Sequence, residues 1–283
     1  MSPVAVREGR LVAGGLRSPL LEAGLGDARE AVVFVHGNPG SSRDWETLLP
    51  AVGEFARAIA FDLPGFGTAD KPKDFNYSVD GYAAFVDQAL SELRVDRAHL
   101  VLHDFGGPIG LAWAAAHPEK LASAVLIDTG VLVGYRWHIL ARIWRTRVLG
   151  ELFQATATRR AFHMLTGRGN PRPLPRAFVD RMFDDYDRGT KRAVLKLYRA
   201  TSDPDGQARR LISVLRPLDR PALVVWGRHD PYIGVEVAER QREAFPSAEV
   251  NVLDGSGHWP FADDPERVAS LVVSFLRRQS QTN

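Results

Sequence analysis

Short apolar runs rich in β-branched residues recur along the chain and alternate with segments in which apolar residues follow a helical spacing. Each run is about strand length and apolar almost throughout, which is typical of a strand buried on both faces. The runs span 31–36, 56–61, 98–103, 122–128, 221–227 and 248–254, and the helical patterns lie at 79–93, 107–117, 235–245 and 265–278. This alternation predicts an α/β fold with a mostly parallel central sheet flanked by helices.

The alternation is interrupted between about 130 and 216, where the patterns are helical. The segment "WHILARIWRTRVLGELF" at 137–153 places apolar residues at helical spacing with arginines opposite them. We therefore predict an α/β core formed by 1–130 and 216–283, and an inserted helical cap formed by 131–215. The cap arginines are candidates for binding an anionic substrate, although a solvated helix face is the expected role: Arg136, Arg142, Arg145 and Arg147.

The composition is typical of a globular protein and argues against several classes of functional site. The 283 residues are 45% hydrophobic and 25% charged, which suits a protein with a substantial core. The net charge of +2 comes from scattered residues, so we expect no nucleic-acid partner. The chain has no cysteine, which excludes disulfides and thiolate chemistry, and no histidine pair has metal-site spacing, so neither a metal nor a cofactor is expected.

The beginning of the chain, "MSPVAVREGRLVAGG", lacks the long apolar stretch of a signal peptide. No later window resembles a membrane span. We therefore expect a cytoplasmic protein without a membrane partner, and the sequence leaves its oligomeric state open.

The segment "LVLHDFGGPIGL" at 100–111 places a carboxylate at the end of a predicted strand. Asp104 follows the apolar run, and Gly106 and Gly107 let a helix begin against the sheet without side-chain clashes. The first N–H groups of such a helix favour a negative charge nearby. The pattern predicts a nucleophile elbow with Asp in place of the usual Ser. The alternative role of Asp104 is a helix N-cap.

A second loop follows an early strand, in "FVHGNPGSS" at 34–42. Its glycines and proline constrain Asn38, whose backbone N–H can face the elbow and form an oxyanion hole with the N–H of Phe105. The same residue types are also common in a simple β-to-α turn. Both interpretations place the loop at the carboxyl end of the sheet, where ligands bind in open α/β folds.

Two further polar residues follow late strands. Asp230 in "VVWGRHDPYI" comes just after a strand, and His258 in "LDGSGHWPF" lies on a glycine-rich loop. A nucleophile, an acid and a histidine in this chain order match the order Ser, Asp, His with the Ser replaced. Asp128 also ends a strand and is a second candidate for the acid, or a cap of the turn that follows. Of the two, Asp230 is the preferred acid.

Several motifs together resemble the α/β-hydrolases, and within them the aspartate-nucleophile branch of epoxide hydrolases and haloalkane dehalogenases. The similarity runs from about residue 28 to 275 and is weakest in the cap; it is carried by "HGNPGSS", "DLPGFG", "HDFGGPIGL", "AAAHPEKL" and "GSGHW". The sequence departs from the branch at Leu102, where many members carry a small residue. The resemblance implies a nucleophile, a base, its orienting acid and two oxyanion-hole residues: Asp104, His258, Asp230, Asn38 and Phe105.

An aspartate nucleophile indicates the class of substrate. A serine that attacked a saturated carbon would form an ether, which water cannot readily cleave. A carboxylate forms an ester instead, and this ester can be hydrolysed at the aspartyl carbonyl. We therefore expect a small apolar electrophile and water as the substrates, with His258 activating the water.

The leaving group separates the two kinds of relative. Haloalkane dehalogenases hold the halide with two N–H donors; Asn38 matches one of them, but Phe105 stands where the other is a tryptophan. Epoxide hydrolases protonate the leaving oxygen with cap tyrosines, and Tyr198 in "VLKLYRATS" resembles one of these, although it could equally be a packing residue. The other proton donor is open among three residues: Tyr135, His138 and His163.

We therefore predict a hydrolase similar to epoxide hydrolases, which opens an epoxide to a diol. Haloalkane dehalogenase activity, with hydrolysis of a carbon–halogen bond to an alcohol, is the alternative. A third possibility is a ligand-binding protein of the same fold without catalytic activity, because a fold alone does not determine function.

Overall fold

The computed structural model describes residues 4–168 and 170–280. These residues form one eight-stranded sheet with the strand order β1-β2-β4-β3-β5-β6-β7-β8. The strands are β1 Arg7–Ala13, β2 Leu16–Ala23, β3 Glu30–Val35, β4 Arg57–Phe61, β5 Arg97–His103, β6 Leu121–Ile127, β7 Ala222–Gly227 and β8 Glu249–Leu253. The β1–β2 and β2–β4 pairs are antiparallel, and the remaining pairs are parallel. The predicted α/β class is confirmed.

The six predicted apolar runs are the strands β3 to β8. Every residue of β4 and β6 is buried, which explains why these strands are apolar apart from Arg57 and Ser123. The hairpin of β1 and β2 was not predicted, because β1 is mostly exposed and its sequence is polar. Gly14 and Gly15 form its two-residue turn with φ of 57° and 76°, a backbone region that favours glycine.

Helices pack against the sheet and fill the long β6–β7 connection. They are α1 Leu48–Gly53, α2 Val79–Glu92, α3 Gly106–Ala116, α4 Ile139–Arg145, α5 Leu149–Ala155, α6 Arg159–Thr166, α7 Arg176–Asp184, α8 Arg188–Ala200, α9 Pro204–Leu215, α10 Pro260–Asp263 and α11 Pro265–Ser280. Three of the predicted helical patterns correspond to α2, α3 and α11. Among the described helices, none has the length and apolar character needed to cross a bilayer.

The predicted helix at 235–245 is wrong. Two 3-10 turns occupy this segment, Val235–Val237 and Glu239–Glu243. The buried side chain of Gln241 bonds both the N–H and the C=O of Val131 on the loop after β6. These tertiary hydrogen bonds prevail over a helical spacing that is only a weak preference of the local sequence.

The helical spacing of the segment 137–153 corresponds to two helices, α4 and α5. The chain turns between them, where Val148 has a φ of 67°. Arg136, Arg142 and Arg147 are exposed, but Arg145 turns inward and donates to the carbonyl oxygens of Tyr198 and Thr201. A solvated face is therefore wrong for Arg145, because this guanidinium satisfies carbonyl groups at the end of α8.

Candidate active site

The turn between β5 and α3 places Asp104 at the carboxyl edge of the sheet. Asp104 has a φ of 47°, in the left-handed region that Asp and Asn tolerate better than most residues. A Cβ on Gly106 would lie 2.2 Å from the Val35 carbonyl oxygen, and one on Gly107 would lie 1.9 Å from Thr129 Oγ1. Both glycines are therefore required because α3 begins in direct contact with neighbouring segments.

The large residue at position 102 is accommodated by a glycine in the following helix. A Cβ on Gly110 would lie 2.5 Å from Cδ2 of Leu102, so Gly110 provides the space into which Leu102 packs. The elbow keeps its left-handed turn at Asp104 in spite of this departure from the family pattern.

The Asp104 side chain is 11% exposed and lies against the loop that follows β3. Its Oδ1 accepts a hydrogen bond of 2.7 Å from the backbone N–H of Asn38. A Cβ on Gly37 would lie 2.3 Å from Cβ of Asp104, so only glycine permits this approach. Burial by itself would raise the pKa of Asp104, but His258 and the Asn38 N–H together hold that pKa below its ordinary value. Asp104 is therefore ionised at neutral pH.

His258 lies between two carboxylates. Its Nδ1 is 2.7 Å from Oδ2 of Asp230, and its Nε2 is 3.6 Å from Oδ2 of Asp104. Burial opposes the charged imidazolium, but the two carboxylates raise the pKa of His258 well above its ordinary value. Nε2–H of His103 donates to the carbonyl oxygen of His258 at 2.8 Å, which fixes the loop after β8.

Asp230 is held in place by its own turn. Its Oδ1 accepts hydrogen bonds from the N–H groups of Tyr232 at 2.7 Å and Ile233 at 3.0 Å, which leaves Oδ2 for His258. Asp128 is fully buried nearby, but its Oδ1 accepts from the N–H of Gly227 at 3.0 Å. The structure therefore gives the hydrogen bond with His258 to Asp230 and not to Asp128.

Two cavities adjoin the Asp104 carboxylate between the carboxyl edge of the sheet and the helices of the β6–β7 connection. The larger has a volume of about 220 Å³ and the smaller about 40 Å³. Four residues line both cavities, and the remaining walls are mainly apolar. The shared residues are Asp104, His138, Tyr198 and Tyr232. Asp104 therefore lies where an apolar molecule would contact both spaces.

Tyr198 is buried, with its hydroxyl at the site. The Asn38 side-chain nitrogen Nδ2 lies 3.4 Å from the Tyr198 hydroxyl oxygen. The ring packs edge-on against Phe105 with a centroid distance of 4.9 Å. Burial, together with the Asp104 charge, raises the pKa of Tyr198 well above its ordinary value. The hydroxyl thus keeps its proton and remains a donor.

The three candidates for a second proton donor differ in position. Tyr135 lines the smaller cavity and His138 lines both. The Nδ1 atom of His138 accepts from the N–H of Ala141, so the proton of the neutral ring lies on Nε2. Burial lowers the pKa of His138 to about 4. His163 is wrong as a site residue, because it pairs with Asp180 at 2.9 Å and lines neither cavity.

Sequence reasoning missed two aromatic residues that touch the histidine. Tyr232 packs edge-on against His258 at 4.9 Å between ring centroids, and Trp259 does so at 4.8 Å. The hydroxyl of Tyr232 donates to the Leu165 carbonyl oxygen at 2.9 Å, which connects the core to α6. The signal for Tyr232 was its place two residues after Asp230, within the turn that bonds the carboxylate.

Comparisons with known proteins agree with this architecture. A family model described as alpha/beta hydrolase fold matches residues 30–265. A 2-hydroxy-6-oxo-2,4-heptadienoate hydrolase of Pseudomonas putida is 28% identical and spans 98% of this chain and 99% of its own length. The haloalkane dehalogenase DatA of Agrobacterium tumefaciens C58 superposes with a TM-score of 0.84 at 22% identity, over 97% of each chain. The epoxide hydrolase CorEH superposes with a TM-score of 0.80 at 20% identity, over 97% of this chain and 99% of its own.

Proposed function

We propose that this chain, which belongs to the alpha/beta hydrolase fold family, is a hydrolase that opens an epoxide to a diol through an ester formed on Asp104. The observation that carries the proposal is the line Asp230–His258–Asp104, with contacts of 2.7 and 3.6 Å, next to a protonated Tyr198. A carboxylate, a base and a proton donor are the groups that this two-step reaction requires. The epoxide hydrolase and the haloalkane dehalogenase among the structural neighbours are consistent with it.

In the first step, Oδ2 of Asp104 attacks an epoxide carbon. Oδ1 is already held by the N–H of Asn38, which leaves Oδ2 on the side of His258 as the attacking atom. The new O–C bond forms as the ring C–O bond breaks, and its electron pair goes to the epoxide oxygen. The Tyr198 hydroxyl donates its proton to that oxygen, which would otherwise leave as a strongly basic alkoxide.

In the second step, water hydrolyses the ester. The Nε2 atom of His258 removes a proton from water as the water oxygen attacks Cγ of Asp104. The Asn38 N–H stabilises the charge that develops on Oδ1. Removal of such a donor would raise the activation free energy by about 3 kcal/mol. The Cγ–Oδ2 bond then breaks, and the product oxygen receives the proton that His258 carries.

Esterification of Asp104 also prepares His258 for its role as a base. The Asp104 carboxylate is one of the two charges that raise the pKa of His258. An ester carries no charge, so the pKa of His258 falls once Asp104 is alkylated. The imidazolium of the resting protein can then release its proton, which restores the Tyr198 hydroxyl, and become a neutral base.

The two cavities favour an apolar substrate with unequal substituents. The larger space is lined by side chains such as Leu140, Phe153 and Phe162, and the smaller by Phe105, Leu132 and Trp137. An electrophilic carbon held at Asp104 would direct a long apolar group into the larger space and a short one into the smaller.

Haloalkane dehalogenase activity is the second candidate, and one contact favours it. The Asn38 side-chain nitrogen can donate a hydrogen bond to a halide. It lies 3.4 Å from the Tyr198 hydroxyl oxygen and therefore faces the site. The side chain of Phe105 offers no second N–H, which makes this the weaker of the two candidates. A non-catalytic ligand-binding role is the third and requires that no covalent ester forms.

Trapping the ester distinguishes these candidates. His258→Gln should still be alkylated but should not hydrolyse the ester, so the adduct accumulates. We would mix this variant with styrene oxide or with 1-bromohexane and measure the mass of the intact protein and of the Asp104 peptide. An adduct from the epoxide, absent in Asp104→Asn, supports the proposal. An adduct from the bromide alone supports the dehalogenase, and no adduct from either electrophile overturns both.

A further inference from the structure

Asp128 is a buried carboxyl group that the proposed reaction does not use. It directly follows β6 with a φ of 45°. Its side chain lies near that of Asp230, in the loop after β7. One oxygen of Asp128, one oxygen of Asp230 and one ring nitrogen of His258 all lie within 4.8 Å of one another. Two carboxyl groups therefore lie close to one imidazole in an interior position, and one of them, Asp230, bonds it.

The hydrogen bonds of the two carboxyl groups are unequal. Asp230 accepts from two backbone N–H groups and from His258. Asp128 accepts from the N–H of Gly227, through Oδ1. Among the described residues, no N–H or O–H donor lies within hydrogen-bond reach of Oδ2 of Asp128. The Asp230 carboxylate is thus well supported as an anion, whereas Asp128 is not.

Two adjacent carboxylates in a buried site repel each other strongly, and His258 is the cation that lies beside the pair within the described part of the chain. We expect the proton that relieves this repulsion to bind to the carboxyl group that accepts fewer hydrogen bonds, which is Asp128. A proton on Oδ2 of Asp128 also supplies that oxygen with its missing partner, because a protonated carboxyl group donates to the neighbouring carboxylate.

We infer that Asp128 is held as a neutral carboxylic acid that donates its proton in a hydrogen bond to Asp230, and that it thereby sets how strongly Asp230 retains the proton on His258. Asp128 is then a positioning residue that acts through Asp230. Its protonation state can be tested in the resting protein, whereas its effect on ester hydrolysis rests on the proposed function.

The electrostatic surroundings agree with a neutral Asp128. Burial is the largest cause that raises the pKa of Asp128 well above its ordinary value, and the Asp230 charge adds to it. Other titratable groups also act on the Asp230–His258 pair, from β5, the cap, the loop after β7 and α10. They are His103, Asp104, Tyr135, His138, Tyr232 and Asp263.

The hydrogen bond from Asp128 has a defined effect on the second step. By stabilising the Asp230 anion, it weakens the attraction of Asp230 for the His258 proton. Removal of the donor should therefore raise the pKa of His258, so that ester hydrolysis requires a higher pH. Replacement of the acid by an amide that also donates should change little, because neither side chain carries a charge.

The first test is carbon NMR of the wild-type protein with aspartate labelled at Cγ. We expect one Cγ resonance to keep the chemical shift of a protonated carboxyl group throughout pH 6 to 9. We expect Asp128→Asn to remove this resonance. If every aspartate resonance that Asp128→Asn removes is that of an ionised carboxylate, the inference is overturned. This measurement does not depend on any catalytic activity.

The second test follows the pH dependence of hydrolysis of the Asp104 ester. We expect Asp128→Asn to leave the midpoint within about 0.3 units, and Asp128→Ala to shift it upward by about one unit. If Asp128 were ionised, Asp128→Asn would remove a negative charge and shift the midpoint downward, which would overturn the inference. Asp128→Asn tolerates the left-handed backbone, so it remains informative if Asp128→Ala does not fold.

Discussion

The side-chain nitrogen of Asn38 lies 3.4 Å from the hydroxyl oxygen of Tyr198, while the backbone N–H of the same residue bonds Oδ1 of Asp104. One residue of the loop after β3 therefore contacts both the proposed nucleophile and the proposed proton donor. Tyr198 belongs to α8, so this contact also connects that helix to the loop after β3. The relative placement of nucleophile and proton donor is the feature on which the choice of leaving group depends.

Tyr198→Phe should slow epoxide opening and leave bromide displacement nearly unchanged. The loss of the proton donor is expected to lower the alkylation rate with an epoxide by about 10²- to 10⁴-fold, because the alkoxide then leaves unprotonated. Bromide needs no proton, so alkylation by 1-bromohexane serves as the internal comparison. Tyr186→Phe is the matched control, since Tyr186 also lines the larger cavity. Equal effects of the two variants on the epoxide would contradict the assignment.

Phe105→Trp should shift preference towards halide leaving groups. The indole would place an N–H donor directly after Asp104, and a hydrogen bond to an ion is worth about 1.5–3 kcal/mol, or about 10-fold or more in rate. The ratio of 1-bromohexane to styrene oxide turnover is the quantity to measure. Phe105→Leu controls for the change in packing, because leucine has no donor. An unchanged ratio in Phe105→Trp would show that the missing N–H does not limit dehalogenation.

Gly106→Ala should destabilise the elbow. The added Cβ would meet the Val35 carbonyl oxygen at 2.2 Å, and backbone cannot move aside cheaply. We expect a loss of at least about 2 kcal/mol in the free energy of unfolding, measured by denaturant titration. In Gly9→Ala the nearest atoms are 3.9 Å away, so that variant should change stability by less than about 0.5 kcal/mol. Similar losses in both would mean that close approach is not the reason for Gly106.

The low pKa of His103 in the folded protein should make the free energy of unfolding decrease as the pH falls. Burial, followed by the charge on His258, lowers the pKa of His103 from 6.5 to about 3. The unfolded chain therefore binds a proton that the folded protein does not bind between pH 6.5 and 3, so this contribution is present above pH 6.5 and is lost as the pH falls. The expected loss from pH 7 to pH 5 is about 2 kcal/mol.

The comparison for His103 is with His103→Gln, which keeps a donor for the His258 carbonyl but does not titrate. Buried acids such as Asp44, whose pKa burial raises to about 7, act in the opposite direction, so the difference between the two proteins is the informative quantity. A pH dependence of unfolding that is identical in both proteins would contradict the expectation.

The sheet was predictable because its central strands are buried on both faces and therefore apolar. The placement of Asp104, Asp230 and His258 followed from the same pattern, since parallel strands end at one edge. The hairpin at β1 was missed because an exposed edge strand has no such signal. The break at Val148, the inward turn of Arg145 and the contacts of Tyr232 depend on how the helices of the β6–β7 connection pack on one another and on the rest of the chain, and local spacing does not encode that packing.

The most direct test of the account is a single turnover of an epoxide in ¹⁸O-labelled water, with enzyme in excess over substrate. Water attacks Cγ of Asp104 in the proposed second step, so the oxygen from water should enter the protein first. We predict that the Asp104 peptide gains ¹⁸O and that the diol from this turnover carries none. Label in the diol with none in the Asp104 peptide would mean that water attacks the epoxide directly, and it would contradict an ester on Asp104.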